Sequence, residues 1–166
     1  MAEKKRIALI GGEKYNYIAH KELFEFHGAE VGIFERTDEV LEGIAKDQYS
    51  LLVVRIGMAP GDYKDEKITE IMRWGNPNYF HVGIHTIELI RRMDNYKNTP
   101  IIATDCMLGY GDKSFPEGSD ERPVGEMCIR AGADEYVLEQ YVREGPRFMD
   151  FNNLLTKAVL EYINNK

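Results

Sequence analysis

Short apolar runs alternate with amphipathic stretches along the whole chain. Arg6–Ile10 is an apolar run closed by Gly11 and Gly12, too short for a helix and ended like a buried strand. Over 17–27, Ile18, Leu23, Phe24 and Phe26 stand among Lys and Glu before His27 and Gly28, which predicts a helix with a glycine stop. Glu30–Phe34 reads as a second strand. Thr37 stands where a cap would start a helix with Val40, Leu41, Ile44 and Ala45 at helical spacing. Residues 51–56, LLVVRI, are the clearest buried strand, apolar on both alternating faces except for one arginine. The pattern then predicts a helix over 84–93, a strand over 100–104, a short helix over Val124–Ala131 ending at Gly132, and a strand over 136–138. Asp150 can cap a last helix with one stripe of Leu154, Leu155, Ala158, Val159, Tyr162 and Ile163.

Strand and helix alternate five times. Strands buried on both faces and joined by helices predict an α/β fold with a parallel sheet and helices on each side. The whole chain, 1–166, reads as one domain with insertions at about 59–82 and 105–122. Both leave the carboxyl ends of strands, where open α/β sheets place their sites. The first is expected to carry a helix over 66–74, with Ile68, Ile71 and Met72 on its apolar side, lying on the parent domain. Trp74, Tyr79 and Phe80 in it either complete that packing or meet a partner.

Charge and cysteine content narrow the classes. The 166 residues carry 21 Lys and Arg against 28 Asp and Glu, a net charge of −7. That disfavours nucleic acid or an anionic membrane as partner. Cys106 and Cys128 are too few and too far apart for a disulfide framework or a zinc site, and suit reduced thiols. The opening MAEKKRIALIGG fits neither a signal peptide nor a spanning helix, so a cytoplasmic location is expected.

Two segments carry a resemblance. AGADEYVLEQY at 131–141 and YSLLVVRIGMAPGD at 49–62, in this order of elements, resemble the receiver domain of bacterial response regulators. The resemblance implies a flavodoxin-like five-stranded parallel sheet in order 2-1-3-4-5 and a place in two-component signalling. It also implies a phosphoryl-accepting Asp at the end of the third strand, with acids after the first strand holding magnesium. Here the acceptor position is Arg55 counted along the strand, or Ile56 counted back from Pro60. Gly11 and Gly12 replace the acids, with Glu13 next. The Ser or Thr of the fourth strand falls on Asp105, with Thr104 before it. The Lys and Pro after the fifth strand are Glu139 and Gln140, and Tyr136 matches the aromatic switch position. A phosphoryl acceptor needs a carboxylate, and magnesium needs hard oxygen ligands. The departures imply a degenerate pseudo-receiver that is not an enzyme, with no cofactor and no metal.

The candidate pocket is therefore Gly11, Gly12, Glu13, Arg55, Thr104, Asp105 and Glu139, with its charges inverted. Arg55 is expected within salt-bridge reach of Asp105, Glu139 or Glu13, because an unpaired buried guanidinium costs several kcal/mol. Two readings stay open. Arg55 is a structural plug, or Arg55 and the Gly11-Gly12 backbone bind an anion. GGEKYN at 11–16 lacks the spacing of a nucleotide loop. His81 and His85 stand four apart, but Gly83 lies between them, and a surface or capping role is expected rather than metal.

Two functions follow. The first is a stand-alone signalling module, no segment following the last helix. It would bind a partner protein, or form a homodimer, through the helix at 124–131, the fifth strand with Tyr136, Gln140 and Tyr141, and the last helix. The second is a small-molecule or anion-binding domain, or an enzyme, using the crevice at the carboxyl ends of the strands. The motifs of a cobalamin domain (DxHxxG) and of a serine hydrolase (GxSxG) are absent.

Overall fold

The computed structural model describes residues 4–12, 17–73, 79–106, 124–139 and 154–165. The strands are β1 (Arg6–Ile10), β2 (Glu30–Phe34), β3 (Leu51–Arg55), β4 (Ile101–Cys106) and β5 (Glu135–Glu139). The helices are α1 (Ile18–Phe26), α2 (Thr37–Lys46), α3 (Glu66–Arg73), α4 (Tyr79–Arg92), α5 (Val124–Ala131) and α6 (Leu154–Asn164). All strand pairs are parallel, and the sheet order is β2-β1-β3-β4-β5. This is the order implied by the receiver resemblance.

Side-chain alternation splits the core into two layers. Leu51 and Val53 of β3 join Ile7 and Leu9 with Tyr17 and Phe24 at α1 and Leu155 and Val159 of α6. Leu52, Val54 and Ile56 join Ala8 and Ile10 with Val40 and Ile44 of α2, Ile68 of α3, Val82, Ile84, Ile87 and Ile90 of α4, and Cys128 of α5. Each fully buried aliphatic side chain contributes about 1.5–3 kcal/mol. Among the described residues no helix is long and apolar enough to cross a membrane.

Three expectations are corrected. α4 begins at Tyr79, five residues before the start read from the sequence, so Gly83 lies inside it. A Cβ there would run into the backbone of Ile56, so the glycine lets the helix lie directly on the end of β3. Thr37 is the first helical residue of α2 and not its cap; its hydroxyl meets that of Thr86 on α4 at 2.9 Å, fully buried. His85 is buried, not on the surface. Asp150, Trp74 and the side chains of Tyr79 and Phe80 lie outside the described residues, as does most of the second proposed insertion.

Candidate functional site

The strands bring Arg55, Thr104, Asp105 and Glu139 to the carboxyl edge of the sheet, beside the turn at Gly11 and Gly12. Glu13, Gln140, Tyr141 and the side chain of Glu139 lie outside the described residues. Register sorts the remaining groups between the two faces. Arg55 pairs with Thr104, and both share the alternation of Leu51, Val53 and Ile102, the α1–α6 side. Asp105 follows Ile101 and Ala103 onto the opposite side. The register thus sets Arg55 and Asp105 on opposite faces of the sheet at the ends of neighbouring strands.

On the α1–α6 side, the Arg55 guanidinium lies over the Tyr17 ring, 4.9 Å from its centroid. Arg55 is 5% exposed and Tyr17 fully buried. Such stacking suits the planar, weakly hydrated guanidinium. The Tyr17 hydroxyl donates to the Ile10 carbonyl at 3.3 Å. The glycine turn closes the top. Gly11 and Gly12 have φ of 87° and 73°, the left-handed region. A Cβ on Gly11 would strike the Arg55 carbonyl, and one on Gly12 would lie 2.8 Å from Arg55 Nη1. The Gly11 N–H donates to the Phe34 carbonyl at 2.8 Å, so it is spent on the sheet and takes no part in cradling an anion.

On the other side, Ile56 continues the ladder through its N–H to the Thr104 carbonyl at 3.0 Å, and its side chain is fully buried. Asp105 is 4% exposed. Burial, then the Asp105 charge, push the Cys128 thiol up to about 12. Burial, then the charges of Asp105 and Cys128, push the Tyr136 phenol up to about 12. Tyr136, half-buried, lies against α5, where Gly125 leaves room for its ring. Neither group is poised as a nucleophile at neutral pH. Among the described residues no three His, Cys, Asp or Glu side chains come together as a metal site.

A polar clasp was not legible in the sequence. His85 of α4 meets Asp65 through Nε2 at 2.6 Å and Glu88 through Nδ1 at 2.9 Å. Lys67 of α3 donates to Glu88 at 2.6 Å. Asp65 also accepts the Ile68 N–H at 2.7 Å, capping α3. The group ties α3 to α4 beside the carboxyl edge. An Asp three residues before the first apolar position of a helix was the available signal for its cap.

No protein-family model and no curated protein matches the sequence. Solved structures do match in fold. A CheY-like response regulator receiver domain protein from Methanospirillum hungatei is 19% identical, with 97% of this chain and 94% of that one covered and a TM-score of 0.59. A two-component response regulator from Clostridium difficile is 18% identical, with 98% and 100% covered and a TM-score of 0.58. The chemotaxis response regulator CheY4 of Vibrio cholerae is 14% identical, with 97% and 99% covered and a TM-score of 0.58. The chain has the fold of CheY-like receiver domains.

Proposed function

We propose that this is a receiver-like signalling module that takes no phosphoryl group and acts by protein–protein contact. One observation carries the reading. Both positions that correspond to the acceptor, Arg55 and Ile56, lack a carboxylate and are shut from solvent. Arg55 lies beneath the glycine turn, and Ile56 beneath the backbone of α4 at Gly83. In-line attack on a phosphodonor needs an exposed carboxylate oxygen with a divalent cation beside it. The contact surface proposed is the side formed by α5, β5 and α6, with Tyr136 at its centre. The segments at 59–82 and 105–122 are proposed as insertions on one non-enzymatic domain.

The anion-binding alternative has the Arg55 charge in its favour, but Gly11 has its N–H committed to β2. Acetyl phosphate with magnesium, followed by intact-mass spectrometry, tests the main reading. The expected result is an unchanged mass. A stoichiometric, hydroxylamine-labile phosphoryl adduct overturns it.

A further inference from the structure

The contact between α3 and α4 is built like an interface between two bodies, not like a core. Of the eight residues of α3, Ile68 is the buried one. Ile71 is half-buried and the rest are exposed. α3 packs on α4, and polar side chains surround the Ile68 anchor. Asp65 reaches His85 at 2.6 Å, and Lys67 reaches Glu88 at 2.6 Å. One apolar anchor inside a polar rim is the anatomy of a surface that exchanges partners. A helix of eight residues is marginal alone, so α3 keeps its shape only while docked.

The receiving side is a stripe of α4. His81, His85, Glu88 and Arg92 recur at i, i+4, i+7 and i+11, one face of the helix. All four act on the segment that carries α3. Burial, then the Lys67 charge, hold the half-buried His81 ring below the ordinary histidine value. His85 and Glu88 hold Asp65 and Lys67 directly. The Tyr63 hydroxyl donates to Asp65 at 3.2 Å. Burial and the Asp65 charge raise that phenol, and the Arg92 charge draws it back. The stripe therefore reads the start of a helix: Asp at the cap, Lys two residues on, Ile three residues on.

We infer that this stripe of α4 is a helix-docking surface, that α3 is its internal occupant, and that a partner helix opening with Asp-x-Lys-Ile takes the place of α3. The chemistry of the occupant is set by α3 itself. The cap carboxylate accepts the Ile68 N–H of its own helix and pairs with His85 at the same time. A helix without it leaves buried His85 short of a partner. Lysine two residues on answers Glu88, and isoleucine fills the place of Ile68 in the layer of Val82 and Ile84. This surface differs from the α5–β5–α6 side, and its test does not depend on that side.

The probe is a fluorescein-labelled peptide of residues 62–73, with a hydrocarbon staple in place of the exposed Glu66 and Glu70 to hold it helical. The hosts are the full chain and its Ile68→Asp variant, in which α3 no longer docks. Anisotropy should show binding about tenfold tighter to the variant, because the internal occupant is gone. Peptides carrying Ala for Asp65 or Asp for Ile68 should bind about tenfold more weakly, and so should the first peptide when the host also carries His85→Leu. Asp65→Ala with Lys67→Ala supplies a second opened host should Ile68→Asp not fold. No binding to an opened host overturns the inference. So does equal binding to parent and opened hosts, or binding indifferent to the two control peptides, either of which places the peptide elsewhere. Amide exchange in the parent as slow at Ile68 and Thr69 as in β3 also overturns it, since α3 would then leave only on global unfolding.

Discussion

The two ends of the sheet are closed by different physics. At the amino edge, charged and polar side chains stitch loop to loop. Arg91 donates from Nε to Gly132 at 2.6 Å and from Nη1 to the Tyr96 and Thr99 carbonyls at 2.8 and 2.7 Å, and Nη2 meets Asp134 at 2.7 Å. Asp134 in turn accepts the Ile101 N–H that begins β4. The Tyr96 hydroxyl, buried, sits 2.7 Å from the Asp47 carbonyl and accepts the Tyr49 N–H at 3.1 Å. Arg6 pairs with Glu30 at 3.0 Å and Asp47 at 3.4 Å. At the carboxyl edge, the described residues show close approach: glycine turn on Arg55, guanidinium on Tyr17, helix backbone on Ile56. An edge closed by hydrogen bonds is built for stability. The carboxyl edge is where open α/β sheets place their crevices.

The largest expected effect is at the amino edge. Arg91→Ala strands the carbonyls of Tyr96, Thr99 and Gly132 and leaves Asp134 without its cation. The side chain is only 17% exposed, so the loss should reach about 3–4 kcal/mol. Urea melts with unchanged slope measure it. A loss under about 1 kcal/mol would show that the amino edge is held by its apolar layer instead.

Gly83→Leu attacks the other edge. The new side chain has no room against Ile56, and α4 must shift or tilt, at about 2–3 kcal/mol. The comparison predicts a further difference. Arg91→Ala should leave amide exchange at Ile56 and Met58 protected until global unfolding, while Gly83→Leu should expose them locally. Equal protection in the two variants would erase the distinction between the edges.

The strands were legible because each is a short apolar run with glycine, proline or polar punctuation, as in Arg6–Ile10 before Gly11. Sheet order was not a matter of pattern; it came with the resemblance at 131–141. The start of α4 was misread because Gly83 looks like a breaker in one dimension and is a close-approach residue in three. That Arg55 and Asp105 take opposite faces needed the β3–β4 register, since parity along one strand says nothing about parity along its neighbour. The partners of His85 were not legible for a related reason: Asp65 lies twenty residues away, on another helix's cap.

That clasp makes the smallest prediction, and the one that sharpens the contrast. It is the polar fastening on the carboxyl side, so it should titrate where close contact does not. Burial raises Asp65, but hydrogen bonds from His85, the Ile68 N–H and Tyr63 outweigh it, and its net shift is downward. Burial likewise raises Glu88, and Lys67 and His85 bring it net below the ordinary value. Carboxyls held low when folded contribute stability above the ordinary carboxylate range, and lose it as pH falls through their folded-state values. Glu88→Gln should thus cost about 1 kcal/mol at pH 7 and progressively less toward pH 3, by urea melts of variant and parent at each pH. Over the same interval the parent should lose exchange protection in α3, at Ile68 and Thr69, before it loses protection in β3. A penalty that stays constant down to pH 3 would mean that Ile68 alone, buried against α4, holds α3 in place, and that the carboxyl edge is closed by contact throughout.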